Sequence, residues 1–183
     1  MAAIDMNKKY TADEFFEIIP ETNEKYELID GEIVMQAAPS TVHQRIVGGI
    51  YSEFRSFIKS KGGKCEPFIS PYDVKLDDSN CLQPDLLVVC DPNKIDDKRC
   101  NGAPDFVVEV VSGDRSLDFN KKLELYKSFG VKEYWIADPR EERTVTYVFD
   151  NGRVTDVSIY PFDVAVPVNI FGGALKITID DLL

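Results

Sequence analysis

Two apolar runs in the middle of the chain, Leu82 to Cys90 and Phe106 to Val111, are nearly continuous rather than alternating. That is the pattern of sheet strands covered on both faces. Each run is interrupted by one acid, Asp85 in the first and Glu109 in the second. Acidic side chains are almost never fully buried without a partner, so the two together point to a place where like charges are held by a cation. A helical period follows at once. From Ser116 to Phe129, residues Phe119, Leu123, Leu125, Tyr126 and Phe129 share one arc, while Lys121, Glu124, Lys127 and Ser128 take the wet side. Lys122 falls inside the apolar arc, one turn after Asp118. Leaving such an ammonium buried and unpaired costs about 3–5 kcal/mol, so it needs an acid or a phosphate to meet.

The remaining pattern predicts a mixed α/β (α+β) fold. Thr11-Ala12-Asp13-Glu14 reads as a capping box opening a short helix to Ile19, stopped by Pro20. A hairpin over 25–36 turns at Asp30-Gly31. A long helix from about 41 to 61 ends at Gly62-Gly63. Residues 64–76 carry Pro67 and Pro71, as in a bent or edge strand. The polar stretch Asp91 to Pro104 reads as a long, mobile loop near the acids, and Glu133 to Ala137 as another strand. Thr144 to Phe149, Arg153 to Tyr160 and Val164 to Ile170 form a β-rich C-terminal extension of the same single domain, residues 1–183, that extends the sheet or stands out as an arm. Exposed strand edges need covering, so a homodimer is expected.

A βα unit would lay the apolar face of helix 116–129, Lys122 included, back against the strand that carries Glu109. Hard oxygen donors such as Asp85 and Glu109 suit magnesium or manganese. Singly, each residue has a plainer account: Asp85 closing a turn after Pro84, Glu109 meeting an arginine, Lys122 reaching the rim along its stem. Their convergence favours a site. His43, the single histidine, lies within the apolar arc of its helix, either as a core histidine or beside a phosphate or attacking water. Glu27 shares a strand face with Ile29 and is either exposed or an auxiliary acid.

Six ordered motifs carry a resemblance: Tyr26 to Glu32, His43-Gln44-Arg45, Gln83-Pro84-Asp85, Glu109-Val110-Val111-Ser112, Asp118 to Lys122, and Glu133 to Pro139. Together they resemble the putative restriction endonuclease family, formerly a domain of unknown function, within the PD-(D/E)XK nuclease superfamily. The superfamily's usual lysine would stand at position 111, where this chain has Val111, so Lys122 is expected to supply the charge from the next helix. The resemblance implies a restriction-endonuclease-like central mixed sheet flanked by helices. It also implies magnesium or manganese held by Asp85, Glu109 and the Val110 carbonyl, with Lys122 orienting the attacking water on DNA. Asp118 would steady Lys122. On this reading Lys122→Ala removes cleavage and spares the fold.

Composition adjusts this picture. At 183 residues with 44% hydrophobic content, the chain can bury a full central sheet. No segment is long and apolar enough to span a membrane and no secretion signal opens the sequence, so a cytoplasmic location is expected. Cys65, Cys81, Cys90 and Cys100 include no C-x-x-C pair and read as reduced thiols. The formal net charge of −11 opposes a polyanion. Lys59, Lys61 and Lys64, with Lys94, Lys98, Arg99 and Arg115, are the candidates for a basic rim. Two further readings stay open: a non-catalytic nuclease-fold module that binds a protein, and a magnesium-dependent hydrolase of small phosphorylated ligands.

Overall fold

The computed structural model describes residues 4–5, 8–19, 24–36, 38–113 and 116–183. Thr11 caps helix α1 (Ala12–Ile18) through a complete capping box with Glu14. The hairpin β1 (Tyr26–Ile29) and β2 (Glu32–Met35) turns where Asp30 and Gly31 both take positive φ. Ser40 caps the long helix α2 (Thr41–Lys61), which ends at a left-handed Gly62.

The expected strand over 64–76 divides into β3 (Glu66–Ile69) and β4 (Asp73–Lys75), which belong to different sheets. The expected strand 82–90 divides in the same way, into β5 (Cys81–Leu82) and β6 (Leu86–Val89), with Gln83-Pro84-Asp85 crossing between sheets. Pro84 has no N–H for a ladder and restricts the residue before it, which is the physical reason for the break. The polar stretch after β6 is not a free loop. It contains β7 (Arg99–Asn101), parallel to β4, and Lys94 Nζ donates to the Ala103 carbonyl at 2.7 Å.

β8 (Phe106–Val110) and β9 (Glu133–Asp138) run parallel, and the helix between them makes the crossover. Its first half, Leu117–Lys122, is a π-helix, and only Leu123–Phe129 (α3) is regular α-helix. β10 (Arg143–Asp150) and β11 (Arg153–Pro161) add an antiparallel ribbon, so one sheet runs β11-β10-β9-β8-β6-β3 and the other β2-β1-β5-β4-β7. The six-stranded sheet carries a core on each face. Leu86, Val88, Phe106, Val108, Trp135 and Ala137 pack on α2, and Leu87, Val89, Val107, Tyr134 and Ile136 pack on α3 and the second sheet.

The chain beyond β11 does not stand out as an arm. The short pair β12 (Val166–Pro167) and β13 (Lys176–Ile177) folds back, and Phe162, Val168, Leu175 and Ile179 join the α2 core. Buried Glu133 anchors this return, accepting from Trp135 Nε1 at 2.7 Å and from the Ile170 backbone N–H at 2.8 Å.

The expectation of four reduced thiols is corrected. Cys65 and Cys90 form a disulfide, while Cys81 and Cys100 are free and buried. Cys65 and Cys90 each lie one residue beyond the Glu66–Val89 pair of antiparallel β3 and β6, so the register brings them opposite one another. Among the described residues, no helix is long and apolar enough to cross a membrane.

Candidate active site

Side chains alternate along β8, so Glu109 shares a face with Val107 and Val111 and points at the crossover helix. Lys122 comes down from that helix to meet it. Its Nζ donates to Glu109 Oε1 at 2.9 Å and lies 3.1 Å from Glu27, and the side chain is 1% exposed. Glu27 is fully buried on β1, not exposed, and accepts from the Gln83 backbone N–H at 2.9 Å and from Gln36 Nε2 at 2.7 Å. Tyr126 OH donates to Glu109 Oε1 at 2.8 Å. Asp118 stands farther off, 3.9 Å from Lys122, so Glu109 and Glu27 rather than Asp118 make the close contacts that hold the lysine.

Asp85 occupies the crossing between β5 and β6. Its Oδ2 accepts from the Val110 backbone N–H at 2.8 Å and meets His43 Nε2 at 3.0 Å, while Oδ1 accepts from Lys25 Nζ at 3.0 Å. His43, in the first turn of α2, is thus a partner of Asp85, and its Nδ1 has no hydrogen-bond partner among the described residues.

The two strand acids are pushed apart electrostatically. Burial would raise the Asp85 carboxyl, but Lys25, His43 and the Val110 N–H outweigh it and hold the group well below the usual carboxylate range. Burial prevails at Glu109, where Lys122 only partly offsets it and the carboxyl is pushed up to about 8. Asp118 is raised by burial to about 6. Burial also opposes the charge on Lys122, yet Glu109, Glu27 and Asp118 raise it above its ordinary value, so it stays an ammonium. Neighbouring carboxyls driven in opposite directions are the usual signature of divided acid and base roles.

These groups open on a cleft of about 830 Å³ lined by Lys25, His43, Asp85, Glu109, Asp118 and Lys122, with Phe16, Tyr26, Met35 and Ile69 on its apolar side. Glu27 does not line the cleft and lies behind Lys122. Among the described residues, no group of three His, Cys, Asp or Glu side chains is placed to hold a metal ion. Magnesium is commonly bound by one or two carboxylates, with waters and substrate phosphates completing its shell, so Asp85 and Glu109 fit it as donors. Lys25 already stands on Asp85 as a cation.

The expected residues Asp85, Glu109, Lys122, Glu27, His43 and Asp118 therefore share one neighbourhood. Lys121, on the wet side of the helix, turns outward to Asp30. The described members of the expected basic rim do not line the cleft. Lys59, Lys61, Lys64, Lys94, Lys98 and Arg99 are absent from its lining, Arg99 sits over the Phe16 ring at 3.3 Å, and Arg115 lies outside the described residues. Polar residues with roles that sequence reasoning passes over are Lys25, Gln36, Gln83 and Tyr126. Tyr126 had a signal in its place on the helix arc, whereas Lys25 had none.

A family described as "Uma2: Putative restriction endonuclease" matches residues 12–180. The chain belongs to this family. A solved structure of a putative nuclease of the DUF820 group from Anabaena variabilis superposes on the Uma2 chain with a TM-score of 0.76. It has 25% sequence identity, over 94% of this chain and 96% of that one. The mixed sheet flanked by helices is therefore the nuclease-type fold that the motifs implied. None of the curated proteins matches the chain significantly. Within the Uma2 fold, Val111 is buried in the α3-side core, and Lys122 delivers its charge beside Glu109 from the crossover helix.

Proposed function

We propose that this Uma2 protein is a metal-dependent phosphodiester hydrolase that cleaves DNA, with Asp85 and Glu109 holding magnesium or manganese and Lys122 as the catalytic cation. The observation that carries this reading is the buried ammonium of Lys122 bridging Glu109 and Glu27 at the floor of a cleft that Asp85 also enters. A bound divalent ion would polarise a phosphate oxygen and lower the pKa of a coordinated water. Asp85, kept ionised by Lys25, His43 and the Val110 N–H, is ready as a ligand without losing a proton. Glu109 would give up its proton on taking the same role, and the Val110 carbonyl would be the third donor. Glu27 fixes Lys122 from behind, so the ammonium is preorganised for charge that develops on the phosphoryl oxygens. His43 orients Asp85 through Nε2, as an outer-shell partner does for a ligand.

The test is cleavage of plasmid and oligonucleotide DNA with magnesium or manganese, comparing the intact protein with Glu109→Gln and Asp85→Asn. Metal-dependent nicking lost in both variants is expected, and equal nicking by either variant would overturn the assignment. The cleft favours one second reading, a hydrolase of small phosphorylated ligands, because among the described residues the lysines and arginines on its lining are Lys25 and Lys122 alone. Turnover of short phosphodiesters without cleavage of long DNA would select it. We further propose that two copies associate through β11, an edge strand whose Val157 and Ile159 are 52% and 60% exposed. Sedimentation of a Val157→Lys, Ile159→Lys variant as a monomer, against a dimeric parent, is the corresponding check.

A further inference from the structure

Asp85 presents two oxygens with different fates. Oδ2 is committed, receiving the Val110 N–H at 2.8 Å and His43 Nε2 at 3.0 Å. Oδ1 is the oxygen left for a cation, and Lys25 Nζ occupies it at 3.0 Å. A metal bound there at about 2.0–2.1 Å would put two positive charges on one oxygen in a poorly hydrated place, so they compete.

The two lysines of the site differ in freedom. Lys122 is sealed between Glu109 and Glu27, with 1% of its side chain exposed. Lys25 has 19% of its side chain exposed, lines the cleft, and sits just before β1. Its backbone carbonyl is pinned by the Gln36 N–H at 2.8 Å, so the anchor is fixed while the stem above it can swing. Displaced from Asp85, its ammonium stays in the cleft in need of an anion. A phosphodiester bridging to the metal supplies one.

We propose that Lys25 is a resident counter-cation that leaves Asp85 when a divalent ion arrives and moves to a phosphate oxygen of the ligand, coupling metal and phosphodiester binding. This rests on the metal-site reading above. Because coupling is reciprocal, the phosphodiester should tighten the metal by the same factor as the metal tightens it.

The experiment is calorimetric titration of manganese, with and without a phosphorothioate oligonucleotide that resists cleavage, into the intact protein, Lys25→Met and Lys25→Arg. Lys25→Met should bind manganese alone about ten-fold more tightly and lose about ten-fold of the coupling. Lys25→Arg should keep the intact protein's behaviour. A purely structural Lys25 would do the opposite, with Lys25→Met binding metal equally or more weakly, and that result overturns the proposal. Saturable manganese binding that Asp85→Asn abolishes and Lys25→Met leaves unchanged would overturn this inference and spare the metal site. Absence of manganese binding in every protein would overturn both. Should Lys25→Met unfold, Lys25→Gln replaces it, and its melting curve certifies the fold.

Discussion

Replacing Lys122 with methionine keeps the length of the stem and removes the ammonium that separates Glu27 from Glu109. The side chain is 1% exposed, and its partners lie 2.9 and 3.1 Å away. Removing one partner of such a buried pair costs about 3–5 kcal/mol, a large share of the roughly 5–15 kcal/mol of a typical domain. At this chain length that lowers the melting temperature by roughly 6–20 °C. The sequence alone had this position sparing the fold; its burial between two acids adds the stability cost.

The deficit also has a pH sign. Without the ammonium, Glu109 favours a proton even more than it does now, at about 8. A group whose folded pKa is raised contributes stability below its unfolded value of about 4.3 and loses it as pH rises through the folded value. Below about 8 both proteins lose this stability alike, and above it only the variant goes on losing, so the melting deficit of Lys122→Met relative to the intact protein should be larger at about pH 9.5 than at about pH 7. Scanning calorimetry at both pH values measures it. A loss under about 1 kcal/mol at about pH 9.5, or a deficit that does not vary with pH, would refute the buried-bridge reasoning.

Metal uptake should displace a proton from Glu109. Calorimetry of magnesium or manganese binding in buffers of different ionisation enthalpy should show nearly one proton released at pH 6–7, falling toward none well above about 8, and a release that does not vary with pH would contradict the burial effect. Gly49→Ala would place a Cβ 2.8 Å from the Leu182 Cβ, so α2 and the C-terminal turn must part, costing about 1–3 kcal/mol in a melt. Reduction, or Cys65→Ser, should cost roughly 3–4 kcal/mol by loop-closure entropy, since 25 positions separate the two cysteines, and a melt that is insensitive to reductant would show the bond adds nothing.

The parts of the site that were legible are those in which periodicity reports a face. Glu109 interrupts a buried strand and Lys122 a buried helical arc, so each pattern announces a charge in a dry place. Glu27 was ambiguous because an acid alternating with Ile29 looks the same exposed or buried. Its burial depends on the Gln83 N–H, far away in sequence. Lys25 opens the expected hairpin with nothing in the pattern to mark it, and its role follows only from the crossing that brings Asp85 to it. The break at Pro84 was written in the chain, though a continuous apolar run masked it. Cys65 and Cys90 meet through strand register, which the spacing of cysteines does not encode.

The crossing at Gln83-Pro84-Asp85 also bears on how such a protein can diverge. In three residues the backbone leaves one sheet and enters the other, and it delivers the Gln83 N–H to Glu27 and the Asp85 carboxylate to Val110. A turn such as Asn151-Gly152 can gain residues and shift nothing but its own tip. An insertion of one residue between Leu82 and Leu86 would flip side chains from one face to the other on whichever strand absorbs it. The spacing of this short segment is therefore inherited whole or lost whole, while the loops around it are free to vary in length.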